Sequence, residues 1–517
     1  MIYNDDQLVG VERTAELTET FSQCRANRVA RNAVTSANLQ KVARNPVRMR
    51  EYSDTYGISV KRTGKVTNQR QSGRCWNFAA LNVVRHAAFE RLDTDDFELS
   101  QAYGMFYDKL EKANAALEYV IEMIFKPTDS RELSYVLDWG MGDGGYFPFS
   151  MNLLAKWGTV PKYAMPETAC SKASGQMNRQ LERLVRRSAA VLRAMAKNGA
   201  SMEELFEAKQ GMLEDVHKVL CVCLGEPPLR FDVRLPIGPK AQVPEDKIVV
   251  VQPEEAEDDE AGQGATASGG DAAPVDAGDE PIGVAGGAEA QEAGSKARRF
   301  VVDEGVTPQE FLERYVGFDP SDYVDLINAP LDAYPFELAY HPTLTDTVIG
   351  GEPVRMLNMP VEVLEDAAVA SLRAGEPCIM SCDVMQNLPR EIEDFPGVLA
   401  LDTMDYEDVL GVELDMDRAR LIEMRETSLT HCMVFQGVQL GADGRPVAWR
   451  VENSWGEKAC KAGYLIVDAD WFRLFGGEVV VKREFVPAEV RKLWDEAEVR
   501  DVAPWSGIGA AMGGARR

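Results

Sequence analysis

The stretch Gln69-Arg70-Gln71-Ser72-Gly73-Arg74-Cys75-Trp76-Asn77-Phe78 constrains this chain more than any other, because it joins a turn of small residues to the start of an apolar helix. Ala79, Ala80, Leu81, Val83, Val84, Ala87, Ala88 and Phe89 follow at helix-compatible spacings, so Cys75 falls in the first helical turn. Unpaired amides and the positive end of the helix dipole favour an anion there, which shifts a thiol toward thiolate. A cysteine taken alone is more often a small packed hydrophobe. Chemistry at Cys75 therefore needs a partner elsewhere in the chain.

That partner comes more than three hundred residues later. Thr430-His431-Cys432-Met433-Val434-Phe435-Gln436-Gly437-Val438 reads as a strand, Gly441-Ala442-Asp443-Gly444 as a turn, and the run from Pro446 to Trp455 as a second strand. The midpoint between His431 and Asn453 is position 442, inside the turn, so antiparallel pairing sets the two side by side to within a residue of register. An Asn oxygen on one imidazole nitrogen fixes the tautomer and leaves the other nitrogen for a thiol. The remaining histidines compete poorly. His86 lies eleven residues along the Cys75 helix, roughly 16 Å away at helical rise. His217 sits in a polar amphipathic stretch and His341 precedes a proline in an expected loop, neither with a recognisable orienting partner.

Composition narrows the function. The formal charge of −27 argues against a general affinity for nucleic acid or anionic membrane. No apolar run reaches transmembrane length, and the acidic start Met1-Ile2-Tyr3-Asn4-Asp5-Asp6 lacks the features of a secretory signal, so a cytoplasmic location is expected. Nine scattered cysteines without a repeated C-x-x-C pair fit reduced thiols better than a disulfide framework. With four histidines and no finger-like spacing, neither a metal site nor a cofactor is expected.

Along the chain, residues 1–60 read as a polar N-terminal extension with an Arg-rich run that is solvated helix or loop. Residues 61–237 form a helical half with a helical insertion from about Met177 to Leu220. Within it, Trp139-Gly140-Met141-Gly142-Asp143-Gly144-Gly145-Tyr146-Phe147 is a loop whose glycines let backbone approach a ligand or pair with an extended peptide. Residues 238–297 are acidic and low in complexity, with twelve acidic side chains and no Lys or Arg between Pro253 and Ala293, and are expected to be disordered. Their flanks alternate as strands, so the insert reads as an overgrown hairpin loop. Residues 298–500 form a sheet half, in which Cys378 and Cys382 are core residues, and 501–517 a C-terminal arm.

These residues resemble the bleomycin hydrolase / aminopeptidase C family of papain-like cysteine peptidases. The carrying motifs are Gln69 with Gly73-Arg74-Cys75-Trp76, the Asp143-Gly144-Gly145 loop, Thr430-His431, and Trp449-Arg450-Val451-Glu452-Asn453-Ser454-Trp455-Gly456. The resemblance implies an α+β papain-like fold, a helical half against an antiparallel-sheet half. It implies Cys75 as nucleophile, His431 as general acid/base, Asn453 as its orienter and Gln69 as oxyanion donor, with Gly144 and Gly145 binding substrate backbone and Trp455 shielding the Asn453–His431 hydrogen bond. It further implies a homohexamer, and a C-terminal arm in the cleft that selects peptides with a free N-terminus. The sequence departs from the family at Asn77, at the acidic insert, and at Gly513-Gly514-Ala515-Arg516-Arg517, which would overfill the cleft and invites autocatalytic trimming. Two other readings use the same residues: amide hydrolysis or acyl transfer on a non-peptide, and a catalytically silent hexameric scaffold.

Overall fold

The computed structural model describes residues 8–251, 297–388 and 397–513. Its helical half is built on Cys75–Leu92, Gln101–Glu122, Phe147–Trp157, Gly175–Lys197 and Met202–Leu224. The last two form an antiparallel pair packed on Gln101–Glu122, through a buried stripe of Met177, Leu181, Val185, Ser188, Leu192 and Ala196 spaced three or four apart. Ser201 and Glu204 close a capping box at the start of the second helix of that pair, which fixes where the chain turns back.

The sheet half holds an eleven-stranded sheet among the described residues. Its middle runs Tyr323–Ile327, Gly476–Lys482, Cys378–Cys382, His431–Leu440, Pro446–Glu452 and Tyr464–Asp468, antiparallel throughout. The Val361–Arg373 helix covers it and buries Leu364, Ala367, Ala368 and Leu372. Cys378 and Cys382 are buried in this core, as the sequence suggests.

The Cys75–Leu92 helix lies between the halves, which is why it is buried on nearly every side. Ala80, Val84 and Phe89 share one core cluster with Ile379, Val434 and Val480 of the sheet. Asn77, unusual among those apolar neighbours, donates to the Gln101 carbonyl at 3.4 Å. Gly104 makes room for it, since a Cβ there would stand 2.9 Å from the Asn77 amide nitrogen.

Three features differ from the sequence reading. Residues 238–251 are structured: a strand at Ile248–Val251 pairs with Arg298–Val306, whose other edge takes Phe231–Ile237. The flanking strands do pair as the expected antiparallel hairpin, a third strand is added to its edge, and only residues 252–296 of the low-complexity segment lie outside the described residues. Short strands are hard to read next to a segment of low apolar content, because their pairing partner is remote in sequence. His341 is in a strand, Ala339–Pro342, and not a loop; its Nδ1 meets the Val354 carbonyl at 2.8 Å and Asp346 stands 3.5 Å from its Nε2. It has orienting partners after all, but belongs to a distant edge of the sheet.

Candidate active site

Cys75 opens its helix after Arg74, which supplies no side-chain cap. The turn before it is instead held from outside. The Gln69 amide N–H donates to the Ser454 carbonyl at 2.8 Å, and the Gly456 N–H donates to the Thr67 carbonyl at 3.0 Å. This stitches the turn to the segment carrying Asn453. The Gln69 side chain is fixed at both ends: its Oε1 accepts from Ser454 Oγ at 2.6 Å, and its Nε2 donates to the Ser72 carbonyl at 2.6 Å. A primary amide carries two hydrogens, so that bond uses one of them.

His431 begins its strand, and its Nε2 lies 2.8 Å from Asn453 Oδ1. The same oxygen accepts from the Ser454 N–H at 2.7 Å, which assigns oxygen rather than nitrogen to that position and makes Nε2 the donor. The ladder is offset from the simple hairpin expectation. Val434 pairs with Glu452, so His431 is displaced by two residues from the position facing Asn453. A shift of two keeps both side chains on one face, and a diagonal pair is still within reach. Trp455 stacks obliquely on the imidazole, ring centroids 5.4 Å apart, in line with a shielding position. Glu452, at the end of the Pro446–Glu452 strand, ties that strand to the Cys75 helix, where Arg85 donates to it at 2.6 Å and Asn82 at 3.2 Å, and to the His431 strand, where Gln436 donates at 2.6 Å, all buried.

The Cys75 thiol is held well below its usual range by a hydrogen bond from the Cys432 thiol and, against the opposing effect of burial, by the charge of and hydrogen bond to His431. Cys432 moves the opposite way, pushed up by the same hydrogen bond and by burial. His431 and Asn453 are joined directly, and Gln69 is tied to Ser454, the residue after Asn453, and to Ser72, in the turn that leads into Cys75. His86 is remote from it, bonded to the Arg62 carbonyl at 3.2 Å, and His217 contacts Cys221 at 3.6 Å in the helical insertion.

The two glycines part company. Gly144 is exposed, with nothing within 4 Å of where a Cβ would lie, whereas a Cβ on Gly145 would stand 2.6 Å from the Trp76 ring. Gly145 is therefore required for packing, whereas a side chain at Gly144 would point into open space.

Sequence reasoning missed the support beneath this loop. Asp143 accepts from the Gly73 N–H at 3.0 Å and from Asn178 at 2.7 Å, hydrogen-bonds Ser174, and pairs with buried Lys109 at 2.8 Å. Burial alone would raise its pKa, but Lys109 and these donors hold it below the usual carboxylate range. Lys112 bonds Asp108 at 2.9 Å and the Gly144 carbonyl at 2.7 Å, and burial pushes it down to about 8. Buried Arg74 bridges the Ser72 hydroxyl, Glu167 and the Ser171 carbonyl at 2.8–3.0 Å. Lysines in a helix read as solvated from sequence, and Glu167 is more than ninety residues from its partner. An open groove of about 840 Å³ runs past Gln69, Gly73, Asp143, Asn178 and Trp455.

The C-terminal arm enters from the other side. The Leu429 N–H donates to the Ala511 carbonyl at 3.0 Å, two residues before His431. Ile508, Gly509, Ala510, Ala511 and Met512 are buried. Arg425 holds the Trp505 and Ser506 carbonyls at 2.9 Å, and Arg131 sits over the Trp505 ring at 4.8 Å. Of the extension beyond it, residues 514–517 lie outside the described residues.

Known proteins resemble this chain along nearly its whole length. A model of the peptidase C1-like family matches residues 8–236 and 292–509, leaving out most of the acidic insert. Aminopeptidase C of Streptococcus thermophilus is 32% identical over 480 residues, covering 93% of each chain. Aminopeptidase W of Lactobacillus delbrueckii subsp. lactis is 30% identical over 501 residues, 96% of this chain and 99% of that protein. The crystal structure of PepW from Lactobacillus rhamnosis HN001 superposes with a TM-score of 0.81 at 30% identity, covering 98% of this chain and 99% of that one.

Proposed function

The chain belongs to the peptidase C1-like family, and from that premise we propose that it is a cysteine aminopeptidase releasing N-terminal residues from peptides through a thioester acyl-enzyme. The observation that carries this reading is the His431 Nε2 to Asn453 Oδ1 hydrogen bond of 2.8 Å beside a Cys75 thiol held below its ordinary pKa. With Nε2–H committed to Asn453, Nδ1 is the nitrogen left to exchange a proton with the thiol. An unassisted cysteine is only a few per cent thiolate at neutral pH, so this environment supplies most of the nucleophile.

Attack of the Cys75 thiolate on a peptide carbonyl forms the S–C bond and moves charge to the carbonyl oxygen. The Cys75 amide at the helix start and the second hydrogen of the Gln69 amide are the donors for that oxygen. The His431 imidazolium protonates the departing amine, and a water deprotonated by the same ring then cleaves the thioester. Gly144, at the open edge of its loop, offers backbone to the substrate, and the groove past Gln69 and Trp455 takes the leaving peptide.

The buried position of residues 508–512 supports the arm as a ruler for the substrate's free N-terminus. An arm lying along the rim two residues from His431 leaves room for few residues ahead of the scissile bond. The cytoplasm is the proposed location, supported by a cysteine set that fits reduced thiols, and a homohexamer is the proposed assembly, from resemblance. Trimming of residues 513–517 is part of the same proposal, and identical full-length masses for wild type and Cys75→Ala would sink it.

The deciding experiment compares aminoacyl fluorogenic substrates with free and blocked amines, using wild type and Cys75→Ala. Turnover of the free amines, lost in Cys75→Ala, is the expected result. A preference for blocked amines, or activity that survives the mutation, overturns the assignment.

A further inference from the structure

Three charged side chains line the groove past Gln69: Arg70, Asp143 and Lys458. Asp143 is already engaged by Lys109 at 2.8 Å, the Gly73 N–H at 3.0 Å and Asn178 at 2.7 Å. Arg70 and Lys458 are exposed, and neither forms an ion pair among the described residues. Glu457, the carboxylate next to Lys458 in sequence, is not part of the lining. The groove therefore offers two cations and no free anion.

Backbone holds both cations in place. Arg70 has a φ of +53°, a left-handed conformation that costs a residue with a Cβ about 1–2 kcal/mol. Its N–H donates to Asn68 Oδ1 at 2.9 Å. Asn68 forms a bridge with Trp455, and the Gly456 N–H donates to the Thr67 carbonyl at 3.0 Å. A Cβ on Gly456 would stand 2.6 Å from the Asn68 amide nitrogen, and the Ala459 N–H closes the next turn on the Gly456 carbonyl at 3.1 Å. The turn carrying Arg70 and the turn carrying Lys458 are thus stitched into one unit beside Gln69 and Trp455. A strained residue held by its surroundings on a groove wall is a pointer to function.

We propose that Arg70 and Lys458 form a subsite for a carboxylate on the leaving peptide. The preferred substrates are then short peptides with a free C-terminus, or peptides with an acidic residue just past the scissile bond. This rests on the aminopeptidase reading, in which Gln69 marks the scissile carbonyl and the groove takes the leaving peptide. A leaving dipeptide spans about 7 Å when extended. Its terminal carboxylate falls one or two residue lengths past the oxyanion donor, and Arg70 is the residue that follows Gln69. The sign of the charge matters because the chain carries −27 overall, a field that repels anionic peptides, and two unpaired cations reverse it locally.

The test measures binding of leucyl-glycyl-glycine, its C-terminal amide and leucyl-glutamyl-glycine amide to full-length Cys75→Ala by titration calorimetry. Exposed ion pairs are individually weak, so the tripeptide acid and the glutamyl peptide should each bind about 3- to 10-fold more tightly than the plain amide at low ionic strength. The gap should close in about 1 M salt, where the screening length falls to about 3 Å. Tighter binding of only one of the two supports the subsite and names the carboxylate it takes, chain terminus or side chain. In the same background Arg70→Gln and Lys458→Gln should each reduce the preference, the double variant should abolish it, and Arg70→Lys should keep it. Equal affinities for all three peptides, or a preference that persists in the double variant or in high salt, overturns the proposal. Binding to Cys75→Ala needs no turnover, so this failure is distinct from failure of the aminopeptidase reading, which the fluorogenic assay decides.

Discussion

Adding one methyl group at Gly145 should do far more damage than adding it at Gly144, although the two are adjacent and look equivalent in sequence. The new Cβ of Gly145→Ala would stand 2.6 and 2.8 Å from Trp76 ring atoms and 2.9 Å from the Phe149 ring, where carbon contacts settle at about 3.5–4.0 Å. Trp76 cannot step aside cheaply. It is 2% exposed, its Nε1–H donates to the Asp143 carbonyl at 2.7 Å, and its ring packs edge-on to Phe149. Overpacking of this kind costs about 1–3 kcal/mol, and losing the indole hydrogen bond adds about 1 kcal/mol. At Gly144 the methyl points into open space and should stay within about 0.5 kcal/mol of wild type. Urea unfolding followed by tryptophan fluorescence reads the difference as a lower midpoint for Gly145→Ala alone. Because Trp76 adjoins Cys75, the same variant should lose kcat/KM by about tenfold or more, the equivalent of 1.4 kcal/mol. Gly144→Ala should instead raise KM. Equal urea midpoints for the two variants would falsify the packing argument.

Other outcomes follow from the same contacts. Asn453→Ala removes the 2.8 Å bond to His431 and leaves the Ser454 N–H without its 2.7 Å acceptor, so kcat should drop by about 10–100-fold at the roughly 1.5–3 kcal/mol such a bond is worth; unchanged kcat in steady-state assays refutes the orienting role. Gln69→Ala should lose on the order of 10²–10³ in kcat while iodoacetamide still labels Cys75 at the wild-type rate, and slowed labelling would mean the turn itself has collapsed. The lowered folded-state pKa of Cys75 means thiolate persists as pH falls below the usual 9.0 of a cysteine. Its alkylation rate should stay flat from pH 9 down through neutrality and fall only in acid, while its contribution to stability, complete above the unfolded value, is lost as pH falls through the folded one. A labelling curve rising with a midpoint near pH 9 contradicts this. Asp143→Asn strands buried Lys109 with only the Met141 and Gly142 carbonyls, and should cost about 3–5 kcal/mol in urea unfolding; a loss below about 1 kcal/mol would show the pair to be dispensable.

The chemistry-bearing residues were legible because each sits on a local pattern. Cys75 opens an apolar helix, and His431 and Asn453 flank one hairpin turn, so periodicity and turn residues alone brought the second pair close. The register shift was not legible, since a displacement of two residues leaves the alternation of inward and outward side chains unchanged. The strand at 248–251 has a β-branched run of its own, Ile248-Val249-Val250-Val251, but its partner, Arg298–Val306, lies beyond the low-complexity run, so local spacing does not reveal the pairing.

What the sequence determined by itself is the candidate nucleophile, the candidate base and orienter, and the two halves that carry them, because residue type and short-range spacing specify these. Tertiary structure alone decided that Gly145 serves Trp76 while Gly144 faces open space, and that Asp143 and Lys109 brace the turn ahead of Cys75. Each depends on side chains dozens to hundreds of residues apart arriving within contact distance. Burial then sets their energies, turning a lysine from a solvated charge into a fixed donor.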